Sequence, residues 1–135
     1  MHEELRFELP NDLRELARVD ALAGAFLERQ QVEPHVLYAT RLVLEEALSN
    51  VIRHGYADEE RHEISVCLRV RGGSVELSVE DDGREFDPLS AREVDVRAPL
   101  EERPTGGLGL HLLRSMASEV RYQRTAGRNL LLVRI

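Results

Sequence analysis

HEISVCLRVRGGSVELSVEDDG, residues 62–83, decides the architecture. Ile64, Val66, Leu68 and Val70 alternate with Ser65, Cys67, Arg69 and Arg71, the period-two pattern of a strand with one apolar face. Gly72-Gly73 suits a two-residue hairpin turn, and Val75, Leu77 and Val79 resume the alternation on the return strand. Each strand offers a single apolar face, so the sheet is expected to carry helices on one side only. The return strand delivers Asp81-Asp82-Gly83 at its end.

Upstream, LRFEL at residues 5–9 reads as a short strand that Pro10 breaks, with Asn11 or Asp12 able to cap a following helix. Helical spacing runs from Leu13 to near Gln31. A second helix starts after Pro34 and runs to about His54, where Gly55 is placed to stop it. Downstream, residues 84–106 hold Pro88, Pro99 and Pro104 among many charges, a long connection of the kind that forms lids. TGGLGL then leads into a short helix, HLLRSMAS, and a second hairpin, EVRYQR-TAGR-NLLLVRI, follows. No internal repeat, low-complexity segment or linker interrupts residues 1–135, which read as one domain.

The 135 residues are 42% hydrophobic and 32% charged, without Trp, which predicts a soluble domain with an aliphatic core. No apolar run approaches the ~20 residues of a membrane span, and no signal peptide is visible. The single Cys67 cannot form an internal disulfide and fits a reducing, cytoplasmic setting. A net charge of −7 argues against nonspecific nucleic-acid binding. All 18 basic residues are Arg. A Walker A loop is thereby excluded, because it needs a phosphate-binding Lys.

Three stretches carry chemistry. In LVLEEALSNVIRHGY, residues 42–56, a helical wheel places Asn50 about 40° and His54 about 80° from Glu46. Glu45 lies about 100° from Glu46, so a carboxylate working beside Asn50 should be Glu46. Taken alone, the pair is also what a solvated helix shows. Asp81-Asp82-Gly83 is either a strand-ending turn or a carboxylate that accepts from an exocyclic amine. An ionised carboxylate has no donor, so it selects adenine over guanine. The glycines of TGGLGL can turn backbone N–H groups toward an anion at a helix start, or can simply turn.

In order and spacing, E46-A-L-S-N50, D81-D-G83, the charged Pro-containing loop and G107-L-G109-L resemble the GHKL ATPase superfamily. The likeness is greatest to its small anti-sigma-factor serine/threonine kinases and runs over nearly the whole chain. The resemblance implies an α+β, two-layer α/β sandwich: a mixed, mostly antiparallel sheet with helices on one face, as in histidine-kinase-like ATPases. It also implies ATP and Mg²⁺ as cofactors. Asn50 would ligate Mg²⁺, Glu46 would be the general base, and Asp81 would bind the adenine amine with Gly83 beside it. Backbone amides of Gly106, Gly107, Leu108 and Gly109 would meet the phosphates. Residues 84–106 would form the ATP lid, and Arg53 and Arg103 would lie toward the phosphates.

The chain departs from the family pattern twice. Glu85 stands where D-x-G-x-G has its second Gly, adding negative charge, and Arg128-Asn129 stands where many members carry a Thr that helps hold adenine. The function implied is a partner-switch kinase that phosphorylates a small anti-anti-sigma protein and sequesters a sigma factor or similar regulator. It would be cytoplasmic and homodimeric, with no direct contact to nucleic acid or membrane. The alternative is an ATP-gated binding adaptor with little transfer. A histidine kinase is disfavoured, since no dimerisation helix pair with a phosphoacceptor His is present, and a gyrase-like ATPase lacks its second-domain Lys. His2, His35, His54, His62 and His111 are scattered and read as structural or solvated, and Cys67 as an ordinary thiol. Residues 5–31 are the stretch expected to hold a partner surface.

Overall fold

A computed structural model of the chain describes residues 3–85 and 115–135. Five strands, β1 (Glu3–Pro10), β2 (Glu63–Arg71), β3 (Ser74–Asp81), β4 (Glu119–Thr125) and β5 (Arg128–Arg134), build one sheet in the order β1-β2-β3-β5-β4. All four pairings are antiparallel. The mixed sheet expected from the resemblance is therefore not what the described strands form. Three of the pairings are chain neighbours, which antiparallel hairpins and a single return can join directly. Only β5 departs from chain order, inserting between β3 and β4.

Both hairpins turn through two residues of positive φ: Gly72 and Gly73 at 59° and 81°, and Ala126 and Gly127 at 52° and 77°. This is the backbone shape whose twist matches antiparallel strands, and glycine reaches it without strain.

Two helices, α1 (Leu16–Arg29) and α2 (Pro34–His54), cover one face. α1 begins later than the spacing suggested. Residues Leu13–Glu15 form a single 3-10 turn capped by Asp12, whose Oδ1 accepts from the Arg14 amide at 2.9 Å. Asn11 does not cap; its side chain accepts from the His62 backbone N–H at 2.9 Å and so ties the exit of β1 to the entry of β2. α2 has Pro34 in its first turn and ends at Gly55, as expected.

The core lies between the layers. Val19, Ala23, Phe26 and Leu27 of α1 and Val43, Leu44, Ala47 and Leu48 of α2 are buried at helical spacing. They meet the inward sets Ile64, Val66, Leu68 on β2 and Val75, Leu77, Val79 on β3, with Leu9 and Val133 completing the cluster. The opposite sheet face is mostly polar, with Leu130 and Leu132 among its residues, and is crossed by ion pairs such as Arg128–Glu80 and Arg134–Glu76. The two-layer α+β expectation thus holds. None of the described helices is long and apolar enough to cross a membrane.

Candidate functional site

The two adjacent acids of α2 face different surroundings. Glu45 is exposed and lines a groove between the outer faces of α1 and α2, with Asp20, Tyr38 and Arg41. Glu46 is half-buried. Desolvation pushes its carboxyl above the ordinary carboxylate range, Arg53 pulls it partly back, and Glu45 adds a smaller upward push. Asn50, one turn on, is also half-buried, and Arg53 is exposed. A desolvated carboxylate of raised proton affinity beside a neutral amide is what a general base next to a cation ligand requires.

The second half of the site stands at the end of the sheet. Asp81 pairs with Asn129 across β3 and β5, and Asn129 pairs with Arg124 across β5 and β4, so the three form one inward-facing row. Asp81 and Asn129 are only 5% and 6% exposed. Polar groups this deep need partners, and these have them. Asp81 Oδ1 accepts from the Gly83 amide at 2.8 Å and from Asn129 Nδ2 at 2.9 Å. Asn129 Nδ2 also donates to the carbonyls of Arg84 at 2.9 Å and Gly83 at 3.3 Å. Its Oδ1 accepts from Arg124 Nη1 at 2.8 Å and from the Tyr122 hydroxyl. Among the described residues, nothing hydrogen-bonds Asp81 Oδ2.

Gly83 is expected beside a bound base, and the structure gives it a further constraint. A Cβ there would lie 2.7 Å from the carbonyl oxygen of Gly55 and 3.0 Å from Asp81 Oδ1. The neighbouring Arg84 amide donates to that same Gly55 carbonyl at 2.8 Å. The exit of β3 is thus fastened to the end of α2, the helix that carries Glu46 and Asn50. Glycine is required because backbone meets backbone.

Asp82 turns the other way. It is exposed and meets His62 Nδ1 at 3.3 Å, while His62 Nε2 meets Asp58 at 2.8 Å and the ring stacks on Tyr56 at 4.2 Å. The Asp58 hydrogen bond, joined by Asp82, raises the imidazole's proton affinity. Burial is the largest single influence on the Asp82 carboxylate and works against it, but His62 and smaller contributions together hold the group below its ordinary range. Asp58, Glu60 and His62 lie close enough to share a cation. With the imidazole engaged by two carboxylates, the trio reads as an ion-pair cluster instead. Tyr56 is pushed up by burial and by Asp81 and Asp82. Its enclosed hydroxyl finds no hydrogen-bond partner at normal geometry among the described residues.

Of the residues expected from sequence, Glu46, Asn50, Arg53, Asp81 and Gly83 fall on α2 and the β3 exit, joined through Gly55. Arg103, Gly106, Gly107, Leu108 and Gly109, most of the 84–106 stretch and the first half of the following HLLRSMAS segment lie outside the described residues. Tyr122, Arg124 and the contact of Asn129 with Asp81 were not expected. Two signals pointed to Asn129: it is a polar residue at the inward position of an otherwise apolar strand, before Leu131 and Val133, and it stands where many family members carry a Thr.

The model of the histidine kinase-like ATPase domain family matches residues 9–135. The chain belongs to this family. Its relatives include the serine/threonine-protein kinase BtrW of Bordetella bronchiseptica, 29% identical over 75% of this chain and 71% of that protein. The serine-protein kinase RsbW of Bacillus velezensis is 31% identical over 64% of this chain and 57% of its own length. Among solved structures, the RsbU and RsbW domains of a Mycobacterium tuberculosis protein superpose with a TM-score of 0.67 at 18% identity. They cover 98% of this chain, which matches 31% of that one. The SiaB–SiaC complex of Pseudomonas aeruginosa gives 0.61 at 20% identity, over 96% of this chain and 88% of the matched one. These structural likenesses show the fold.

For a histidine kinase-like ATPase domain, the donor set is suitable. Asp81 offers one acceptor oxygen that no described residue bonds, Tyr56 an enclosed hydroxyl, and Asn50 a neutral oxygen of the type a hard cation accepts.

Proposed function

We propose that the chain is an ATP-dependent serine/threonine protein kinase of the anti-sigma-factor type. It would act as a partner switch that phosphorylates a small antagonist protein and sequesters a sigma factor or similar regulator. The observation that carries the nucleotide reading is Asp81, a deeply buried carboxylate with one oxygen tied down by Gly83 and Asn129 and the other left as an acceptor. The kinase names of BtrW and RsbW support the reaction class.

ATP with Mg²⁺ supplies the transferable phosphoryl group and neutralises its charge. The chain's residues do the rest. Asp81 holds the exocyclic amine. Asn50 would contribute an oxygen to the cation, as a neutral ligand of the kind a hard ion accepts. Glu46, raised in proton affinity by burial, takes the proton of an incoming Ser or Thr hydroxyl. By the family resemblance, Arg53 and Arg103 would lie toward the phosphates, and the backbone amides of Gly106, Gly107, Leu108 and Gly109 would meet them. By the same resemblance, residues 84–106 would form the ATP lid, and the protein would be a cytoplasmic homodimer.

Calorimetric titration with ATP and GTP, each with and without Mg²⁺, tests the reading. ATP should bind, more weakly without Mg²⁺, and GTP should not. Asn50→Ala should lose the Mg²⁺ dependence, and Glu46→Gln should keep binding but lose transfer from labelled ATP. If wild-type protein binds ATP yet transfers no faster than Glu46→Gln to any antagonist protein offered, the chain is an ATP-gated adaptor. Failure of both nucleotides to bind would sink the kinase reading.

A further inference from the structure

Asn129 is fully engaged within the protein. Arg124 can only donate, so the amide oxygen must face it, and carbonyls can only accept, so the amide nitrogen must face Gly83 and Arg84. Its two N–H hydrogens are divided among three acceptors, Asp81 Oδ1, Arg84 O and Gly83 O. Its oxygen takes two donors, Arg124 and Tyr122. A hydroxyl side chain at this place would keep a rotatable O–H to offer a ligand. Asn129 has none left, so it cannot read a base by touching it.

Its effect passes through Asp81 instead. Asn129 and the Gly83 amide both settle on Oδ1, which fixes the carboxylate plane and leaves Oδ2 as the oxygen that no described residue bonds. Arg124 Nη1 reaches on to the Gly83 carbonyl at 3.0 Å, so the turn that supplies the Gly83 amide is held from β4 as well. Three strands therefore converge on the orientation of one carboxylate. A carboxylate free to rotate could turn either oxygen, at any angle, toward a ligand; a fixed one rewards only a donor in one place.

We propose that Asn129, locked by Arg124 and Tyr122, is the positioning residue that sets base preference, by aiming Asp81 Oδ2 at the 6-amino group of a purine nucleotide. The inference rests on the adenine-nucleotide reading of the preceding section. It adds that selectivity resides in a residue that makes no contact with the base.

The test is calorimetric titration of the full chain with ATP and with purine riboside triphosphate, which carries hydrogen in place of the 6-amino group. Wild-type protein should prefer ATP by about tenfold or more, the value of one hydrogen bond to a charged group. Asn129→Ala should lose most of that preference through weaker ATP binding, with purine riboside triphosphate unchanged. A merely structural role would weaken both nucleotides equally, and that result, or an unchanged ratio, overturns the proposal. Should Asn129→Ala fail to fold, Arg124→Ala, at an exposed position, should reduce the same ratio in the same direction; no reduction there overturns the proposal too. Wild-type protein that binds neither nucleotide removes this inference together with the adenine reading. Wild-type protein that prefers ATP while both variants keep the ratio removes this inference alone.

Discussion

β3 and β5 lie side by side from Leu77–Val133, an apolar pair with no exposure, to Asp81–Asn129, a polar pair almost as deeply enclosed. The strands, the register and the inward direction are the same at both ends. What differs is how burial is made tolerable. At the Leu77 end, removal from water is itself the stabilising term, about 1.5–3 kcal/mol for each such side chain. At the Asp81 end, burial costs free energy unless each polar atom is bonded. Among the described residues, every side-chain polar atom of the Asp81–Asn129 pair is bonded except Asp81 Oδ2. An apolar pair at the tip would have made a more ordinary sheet, so the polar end is the place to look for work done on a ligand.

Changes at the two ends should separate stability from recognition. Leu77→Ala should have the largest effect, lowering unfolding stability by about 2–5 kcal/mol in urea while the base preference of the folded fraction stays as in wild type. A changed preference would mean that the two ends are not independent. Gly83→Ala comes next. Its new methyl meets the Gly55 carbonyl, which should cost roughly 1–3 kcal/mol and weaken nucleotide binding as well, because it loosens the polar end from α2.

Asp81→Asn should do the reverse of Leu77→Ala. The Gly83 and Asn129 contacts can persist, so stability should move by less than about 1 kcal/mol. The preference between ATP and inosine triphosphate, compared by calorimetry, should turn toward the 6-oxo base. Unchanged ATP binding would show that Asp81 is buried for structure only.

The smallest effect belongs to His62, just outside the polar end. Its folded proton affinity is raised, above all by Asp58, so its contribution is complete below the unfolded value of about 6.5 and fades as pH rises through the folded value. The stability difference between wild type and His62→Ala should therefore be greatest below about pH 6 and shrink in alkali. A difference that grows with pH would contradict the ion-pair reading.

Much of this comparison was legible in sequence, for local reasons. The β2–β3 hairpin, α2 and the Glu46 side of α2 follow from alternation, helical spacing and turn residues, all within a few positions of one another. The likeness carried the expected site as far as Asp81 and Gly83. The antiparallel β5 between β3 and β4 was not legible. The hairpin makes β4 one neighbour, but nothing near residue 129 says which strand lies on the other side, and its partner Asp81 is 48 residues away. Without that pairing, Tyr122 and Arg124 look like ordinary edge-strand side chains. Gly83 was readable as special, but only the approach of Gly55 shows that it also fastens α2 to the sheet. Likewise, Asn11 and Asp12 were both plausible caps, and the choice depended on a distant backbone N–H, that of His62.

The placement of β5 also bears on how the molecule comes into being. Both helices and β1, β2 and β3 leave the ribosome before it, and at synthesis rates of about 5–20 residues per second they have seconds in which to associate. During that interval the edge of β3 is open and Asp81 has no Asn129. The closing step joins segments far apart in the chain, the slow kind of contact in folding. A nascent chain can thus collapse around its apolar layer well before it can recognise a nucleotide. Competence to bind would arrive last, with the strand that completes the sheet.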